Sequence, residues 1–318
     1  MSGQKWGESF LKSGLPLEHL TVIALKSIGW TCELHSEYRR VNRERELKWF
    51  ERDVIAYSPE SDHGNLQLLM ECKYHDESRF WFFLPCETED HLAQYGAFSA
   101  GENLYVDSAV LHSAPYQLLA KPATETLLPL APKCVWAVTV SQDGTRQPNA
   151  TEEATKQLGF GFVPFCLENF YGFHRSRAVC VLPVIVTSAR LFRLFPEIDT
   201  LDRVRAASAP NEVADEVSWL WYYHAPNGEL LDYNMAEIDA YKKGNNRYAQ
   251  RKIIAKQLLA LWSSPHWIAV VNIAALAVAV DAIYRQFSSL PKDFSGDQLI
   301  AKIWKDRRKR RTSGRVVR

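Results

Sequence analysis

Asp53, Glu71 and Lys73 are the residues of this 318-residue chain whose types and spacing point most directly to chemistry. Glu71 and Lys73 flank Cys72 at the end of the apolar run Leu66-Gln67-Leu68-Leu69-Met70, which reads as a strand. Two apart on a strand, their side chains share one face. Asp53 lies in WFERDVIAY (Trp49 to Tyr57), a second strand by its composition. Pairing of the two segments as a hairpin brings both carboxylates to one end of a sheet. With the backbone carbonyl of Cys72 they form a hard oxygen set suited to Mg²⁺ or Mn²⁺. A cation held there polarises a phosphodiester and acidifies a bound water. An ammonium beside it positions that water or stabilises developing charge. The competing reading of the same residues is ion pairing between solvated strand ends.

The elements that must position them follow in order. Gly14-Leu15-Pro16-Leu17-Glu18 starts a helix, with proline in the first turn and an acid at the positive end of its dipole. Leu17, Leu20, Ala24 and Ile28 continue it at helical spacing, and Gly29 stops it. Trp30 to Tyr38 reads as a first strand, and the charged stretch Arg39 to Lys48 as the surface connection of a hairpin. Residues 58 to 65, rich in Ser, Pro, Asp and Gly, form a turn before the third strand. From Phe80 to Ala131 no periodicity emerges beyond the opening Phe80-Trp81-Phe82-Phe83-Leu84. Cys134 to Val140 is a strand and Thr151 to Leu158 a helix, weakened further on by Gly159, Gly161 and Pro164. In Val179 to Thr187, Pro183 points to an edge position or a bulge.

This arrangement resembles the PD-(D/E)xK nuclease superfamily, whose restriction-endonuclease-like fold has a helix, three antiparallel strands, a helix and a further strand. Asp53 takes the place of the first motif acid, although Arg52 rather than proline precedes it, and Glu71-Cys72-Lys73 takes the place of E-x-K. Glu18 matches the acid that many members carry on the first helix. Gln157 in TEEATKQL matches the glutamine that RecB- and Mrr-like members place on the helix after the core strands. The resemblance implies an α/β protein with a mixed central sheet flanked by helices. Such a core occupies residues 1–195 with an insertion near 76–131; apart from the resemblance, a mostly helical or α/β accessory region, 196–301, and a basic tail, 302–318, follow it. The resemblance also implies a Mg²⁺- or Mn²⁺-dependent endodeoxyribonuclease, catalytic through Asp53, Glu71, Lys73, Glu18 and Gln157, with metal held by Asp53, Glu71, Cys72 and Glu18. Such proteins serve in restriction, repair or anti-phage defence. Two other readings stay open: a non-catalytic nucleic-acid-binding or scaffold protein of the same fold, and a nuclease subunit active only with a partner.

Charge adds a nucleic-acid argument. From Lys302 to Arg318 nine basic residues, Arg307, Arg308, Arg310 and Arg311 among them, stand against Asp306 alone, giving +8 in a chain of net +1. The other residues therefore sum to −7. Such a run suits phosphate neutralisation, or is a solvated tail. Lys242, Lys243, Arg247, Arg251, Lys252 and Lys256 give the helix-forming stretch Met235 to Trp262 a basic face, a second candidate surface for DNA, with RNA also open. Cutting both strands of a duplex takes two active sites, which points to a homodimer or a partner protein.

Composition narrows the remaining classes. At 47% hydrophobic and 24% charged residues, the chain has the makeup of a globular protein rather than a disordered one. Its six cysteines form no CxxC pair, the mark of reduced thiols in an intracellular, cytoplasmic setting. Neither a P-loop nor a GxSxG element is present. The apolar stretch Trp267 to Tyr284 is broken by Asn272 and Asp281, so it reads as a buried strand entering a buried helix rather than a membrane span.

Overall fold

The computed structural model describes residues 3–41, 46–59, 65–76, 78–86, 104–106, 131–142, 150–172, 178–244 and 267–288. Two short helices, α1 (Gly3–Lys12) and α2 (Leu15–Ser27), open the chain. Gly14 parts them at φ +84, a conformation that favours glycine, and its carbonyl accepts the first N–H groups of α2. Three antiparallel strands follow, β1 (Thr31–Val41), β2 (Leu47–Tyr57) and β3 (Asn65–Lys73). The hairpin is longer than its charges suggest. Arg39 and Arg40 remain in β1 because their guanidinium groups stack on Trp49 and Phe50 of β2, 4.2 Å from each ring.

The middle of the chain supplies β4 (Arg79–Pro85), β5 (Leu104–Val106), β6 (Lys133–Ser141), helix α3 (Ala150–Gly172), β7 (Ala178–Thr187) and β8 (Arg190–Leu194). The remainder gives α4 (Leu201–Ala206), β9 (Ala214–Val217), β10 (Trp219–Tyr223), α5 (Gly228–Gly244), β11 (Trp267–Asn272) and α6 (Leu276–Ser288). The eleven strands among the described residues join one mixed sheet in the order β1-β2-β3-β7-β11-β10-β6-β4-β8-β9, with β5 paired to β7. The protein is thus a mixed α/β structure. Of the two forms read for residues 196–301, helical or α/β, the described part is α/β rather than mostly helical, and its β10 and β11 lie between β7 and β6 in the same sheet.

Strand alternation divides the core. Leu66, Leu68, Met70 and Cys72 pack with Leu17, Val22 and Leu25 of α2 and with Leu276, Val280 and Ile283 of α6. Leu69, Ile185, Ile268 and Val270 pack on the opposite face against Leu158, Phe162 and Cys166 of α3, with Ile238 and Tyr241 of α5. Among the described residues no helix is long and apolar enough to cross a membrane. Trp267 to Tyr284 is the expected buried strand entering a helix.

Several local expectations need correction. Pro183 is in a central strand, not at an edge: it pairs in register with Leu69. On its other side the β5 ladder ends at Cys180 and the β11 ladder begins at Val184, a gap that accommodates a residue with no N–H to donate. Asn227 starts helix α5, its Oδ1 accepting the Leu230 N–H at 3.0 Å. Leu20 is exposed; the inward face of α2 is Leu17, Glu18, Thr21, Val22 and Leu25. Helix α3 runs on through Gly159, Gly161 and Pro164 because its burial between sheet and α5 outweighs weak propensity.

Gly159 marks the closest approach of α3 and α5: a Cβ there would lie 2.7 Å from Leu230 Cδ2, whereas one at Gly161 would meet its neighbours no closer than 3.6 Å. Removing a helical glycine is worth up to ~1 kcal/mol, and overpacking costs about 1–3 kcal/mol. Gly161→Ala is therefore expected to raise the chemical-denaturation midpoint and Gly159→Ala to lower it. Equal shifts for both would contradict this helix contact.

Candidate functional site

The ladder that holds β3 is asymmetric at its end. On one side β3 pairs with β7 as far as Lys73, but on the other it pairs with β2 only to Met70, opposite Val54. Past that point β2 and β3 part, and the freed N–H of Cys72 needs an acceptor. Asp53 supplies it, its Oδ2 lying 2.7 Å from the Cys72 nitrogen. The carboxylate is thereby fixed where the strands diverge.

Glu71 and Lys73 stand beside it. Glu71 is 6% exposed, and its Oε1 lies 2.8 Å from the Lys73 ammonium. Lys73 also donates to Gln157 Oε1, on the face of α3 that covers this sheet end. Thr187 of β7 donates to the Lys73 carbonyl at 2.9 Å and secures the backbone behind the ammonium. Glu18 reaches the cluster from α2 on the other side, buried, with Oε2 lacking a hydrogen-bond partner. Gly14 makes room for it: a Cβ there would stand 3.2 Å from Glu18 Oε1. Cys72 turns its thiol away, toward Thr21 Oγ1 at 3.6 Å, so only its backbone faces the cluster.

Two participants carried no signal in the sequence. His35 lies between Glu18 and Glu51, its Nε2 3.5 Å from Glu18 Oε2 and its Nδ1 3.4 Å from Glu51 Oε1. Its backbone φ of +54 breaks the regular path of β1 beside Asp53. A lone histidine in an alternating strand looks like any half-exposed side chain, and only a positive φ, invisible in sequence, marks it out. Arg52, which precedes Asp53, is buried and works structurally. It makes a two-pronged contact with Glu168 of α3 at 3.0 and 2.8 Å and lies over Tyr38.

The electrostatics are those of crowded buried acids. Burial pushes Glu71 up to about 8, Asp53 adds to the rise, and Lys73 opposes it. Asp53 is raised by burial against the lowering pull of the Cys72 N–H and Lys73. Glu18 is raised by burial and then by Asp53. Burial acts to lower Lys73, but Glu71 and Asp53 outweigh it, so the ammonium keeps its proton more firmly than usual. Among the described residues no three His, Cys, Asp or Glu side chains stand so as to hold a metal ion between them as they lie. Glu71 is turned onto Lys73 and Asp53 onto Cys72.

His75, two residues past Lys73, is lowered to about 4 by burial and then by Arg79, and its ring packs edge-on to Trp81. Lys242 and Lys243 end α5, with Lys242 paired to Asp239 at 3.2 Å. Arg247, Arg251, Lys252, Lys256, Arg307, Arg308, Arg310 and Arg311 lie outside the described residues.

The cluster predicts a pH-dependent cost. Glu71 keeps its proton in the folded state up to about pH 8, whereas the unfolded chain releases it near 4.5. Metal-free stability therefore falls as pH rises across that window. Glu71→Gln has no proton to lose, so it is expected to melt about as the wild type does at pH 5 and a few degrees higher at pH 8 in EDTA. A variant that melts lower at pH 8 would refute the crowding argument. Comparison with protein-family models, curated proteins and solved structures finds no match to the chain, so the reading of this site rests on its geometry and chemistry.

Proposed function

We propose that the chain is a metal-dependent nuclease of restriction-endonuclease-like fold that hydrolyses DNA phosphodiester bonds at Asp53, Glu71 and Lys73. One observation carries the reading: Lys73 is held between Glu71 and Gln157 while Asp53 caps the same strand end. Solvated ion pairs at a strand end, the rival explanation, do not account for buried acids. Glu18 and Glu71 are buried around one ammonium, an arrangement costly to folding and typical of functional sites. The run α2-β1-β2-β3, three antiparallel strands, is followed after β4, β5 and β6 by α3 and a β7 parallel to β3, which supports the fold assignment.

The donor set suits a hard divalent cation, since it consists of carboxylates, and the buried Glu18 Oε2 accepts no hydrogen bond, with His35 Nε2 3.5 Å away. Bound Mg²⁺ or Mn²⁺ would polarise the phosphodiester and acidify a water. The chain's own groups do the rest. Lys73 stays protonated beside Glu71 and stabilises charge developing on the phosphate oxygens. Gln157, donated to by Lys73, fixes where that ammonium points. Asp53 is held in place by the Cys72 N–H and cannot drift from the strand end. Lys242 and Lys243 are the described part of the basic surface that would follow the strand's phosphates.

A second reading is favoured by the inward turn of Glu71 onto Lys73 and Asp53 onto Cys72: a nuclease subunit that loads metal only when a partner or substrate opens the cluster. Both are tested with supercoiled plasmid in Mg²⁺ or Mn²⁺. The expected result is nicking or linearisation that stops in EDTA and falls at least hundredfold in Asp53→Ala and Lys73→Ala, and about tenfold in Gln157→Ala. An intact plasmid with calorimetric Mn²⁺ binding lost in Asp53→Ala would favour the partner-dependent subunit. Absence of both cleavage and Mn²⁺ binding would leave a non-catalytic binding protein.

A further inference from the structure

A cavity of about 760 Å³ opens where the ends of β4, β6, β8 and β10 meet the first turn of α3. Its walls include Trp136, Phe195, Tyr222 and His224, with Glu152 and Asn227 as polar members. Trp136 is 70% exposed, the posture of a platform rather than of a core residue. The Tyr222 and His224 rings lie 6.5 Å apart and 31° from parallel beside it, with Tyr222 mostly buried. Asn227 is oriented by its Oδ1, which caps α5 at Leu230. Its amide is therefore fixed in the cavity wall, and the Glu152 carboxylate contributes an acceptor. Flat aromatic surfaces with a fixed amide and a carboxylate are the groups that stack on a nucleobase and read its edge.

Position connects the cavity to the cluster. Glu152 is five residues from Gln157 on α3, ~7.5 Å along the helix axis. Its neighbour Glu153 lies close enough to Lys73 to act on its charge. We infer that the cavity receives an unpaired nucleobase, one bearing an exocyclic amine that Glu152 accepts, from a strand whose phosphate lies at Glu71 and Lys73. This rests on reading that cluster as a nuclease centre. It narrows the substrate to nucleic acid with single-stranded, frayed or extruded bases, because a base stacked in a duplex cannot enter.

The same base chemistry comes from a strand or from a free nucleotide, and the test separates them. The full chain in EDTA is titrated with a single-stranded oligonucleotide carrying 2-aminopurine, with the fully paired duplex of the same sequence, and with dAMP. The expected result is quenching of 2-aminopurine by the single strand, at least tenfold tighter than by the duplex, and roughly tenfold to hundredfold weaker binding in Trp136→Ala. Glu152→Gln is expected to reduce the preference for a 2-aminopurine strand over an all-thymine strand. Both side chains are exposed, so neither substitution threatens the fold. Wild-type binding by Trp136→Ala, or equal quenching by duplex and single strand, would overturn the proposal. So would binding of dAMP without binding of the strand, which would assign the cavity to a free nucleotide. Plasmid nicking, measured in parallel with Asp53→Ala, reads the nuclease centre by itself. Nicking without Trp136-dependent quenching removes the cavity and keeps the centre, and quenching without nicking does the reverse.

Discussion

The Cys72 N–H is the group on which the site depends. Where β3 loses β2 as a partner, a buried backbone donor must be satisfied or the strand end frays. Asp53 Oδ2 satisfies it at 2.7 Å, and in doing so a side chain replaces one rung of the ladder. Three consequences follow from that replacement. Asp53 is held rigidly, Glu71 and Lys73 keep the strand geometry that puts them on one face, and β7 alone carries the backbone of β3 beyond Met70. A carboxylate used in this way is structural and available at once, since the N–H occupies only part of its acceptor capacity.

Burial then turns a structural device into a chemical one. Glu71 would titrate near 4.5 in water, and here it holds its proton to about 8 because it is buried beside Asp53. Lys73 is drawn the opposite way and stays charged. The cluster accordingly has more acid than its single ammonium neutralises, with His35 and Glu51 extending it toward solvent. Stability argues against such a grouping, which Lys73 and the retained proton of Glu71 relieve only in part, and the acids themselves, rather than the fold, carry the functional argument.

How much of this was legible follows from the range of each signal. Asp53, Glu71 and Lys73 were legible because a strand's two-residue period is local and an apolar run led into the motif. Gln157 was reachable only through the family resemblance, since 84 residues separate it from Lys73. His35 and Glu51 were not, because what marks them is a positive φ and a contact to α2. Pro183 misled for a similar reason: its missing N–H matters only relative to which neighbours pair at that level, and β5 and β11 leave a gap there. The interior placement of β10 and β11 was equally hidden, because strand order is set by pairings far apart in sequence.

That strand order bears on function as well as on stability. Because β10 and β11 sit between β7 and β6, the chain after residue 195 builds the middle of the sheet, and the cavity wall at Tyr222 belongs to the same sheet as Lys73. Helix α3 crosses between them: Glu152 faces the cavity, Gln157 holds Lys73, and Glu168 pairs with the buried Arg52 on the β1-β2 hairpin. One helix therefore ties three parts of the sheet together, and Gly159 lets α5 press it into place at Leu230. A displacement of α3 would move Gln157 and Glu152 together, so the group that holds the ammonium and the carboxylate in the cavity wall keep a fixed spacing.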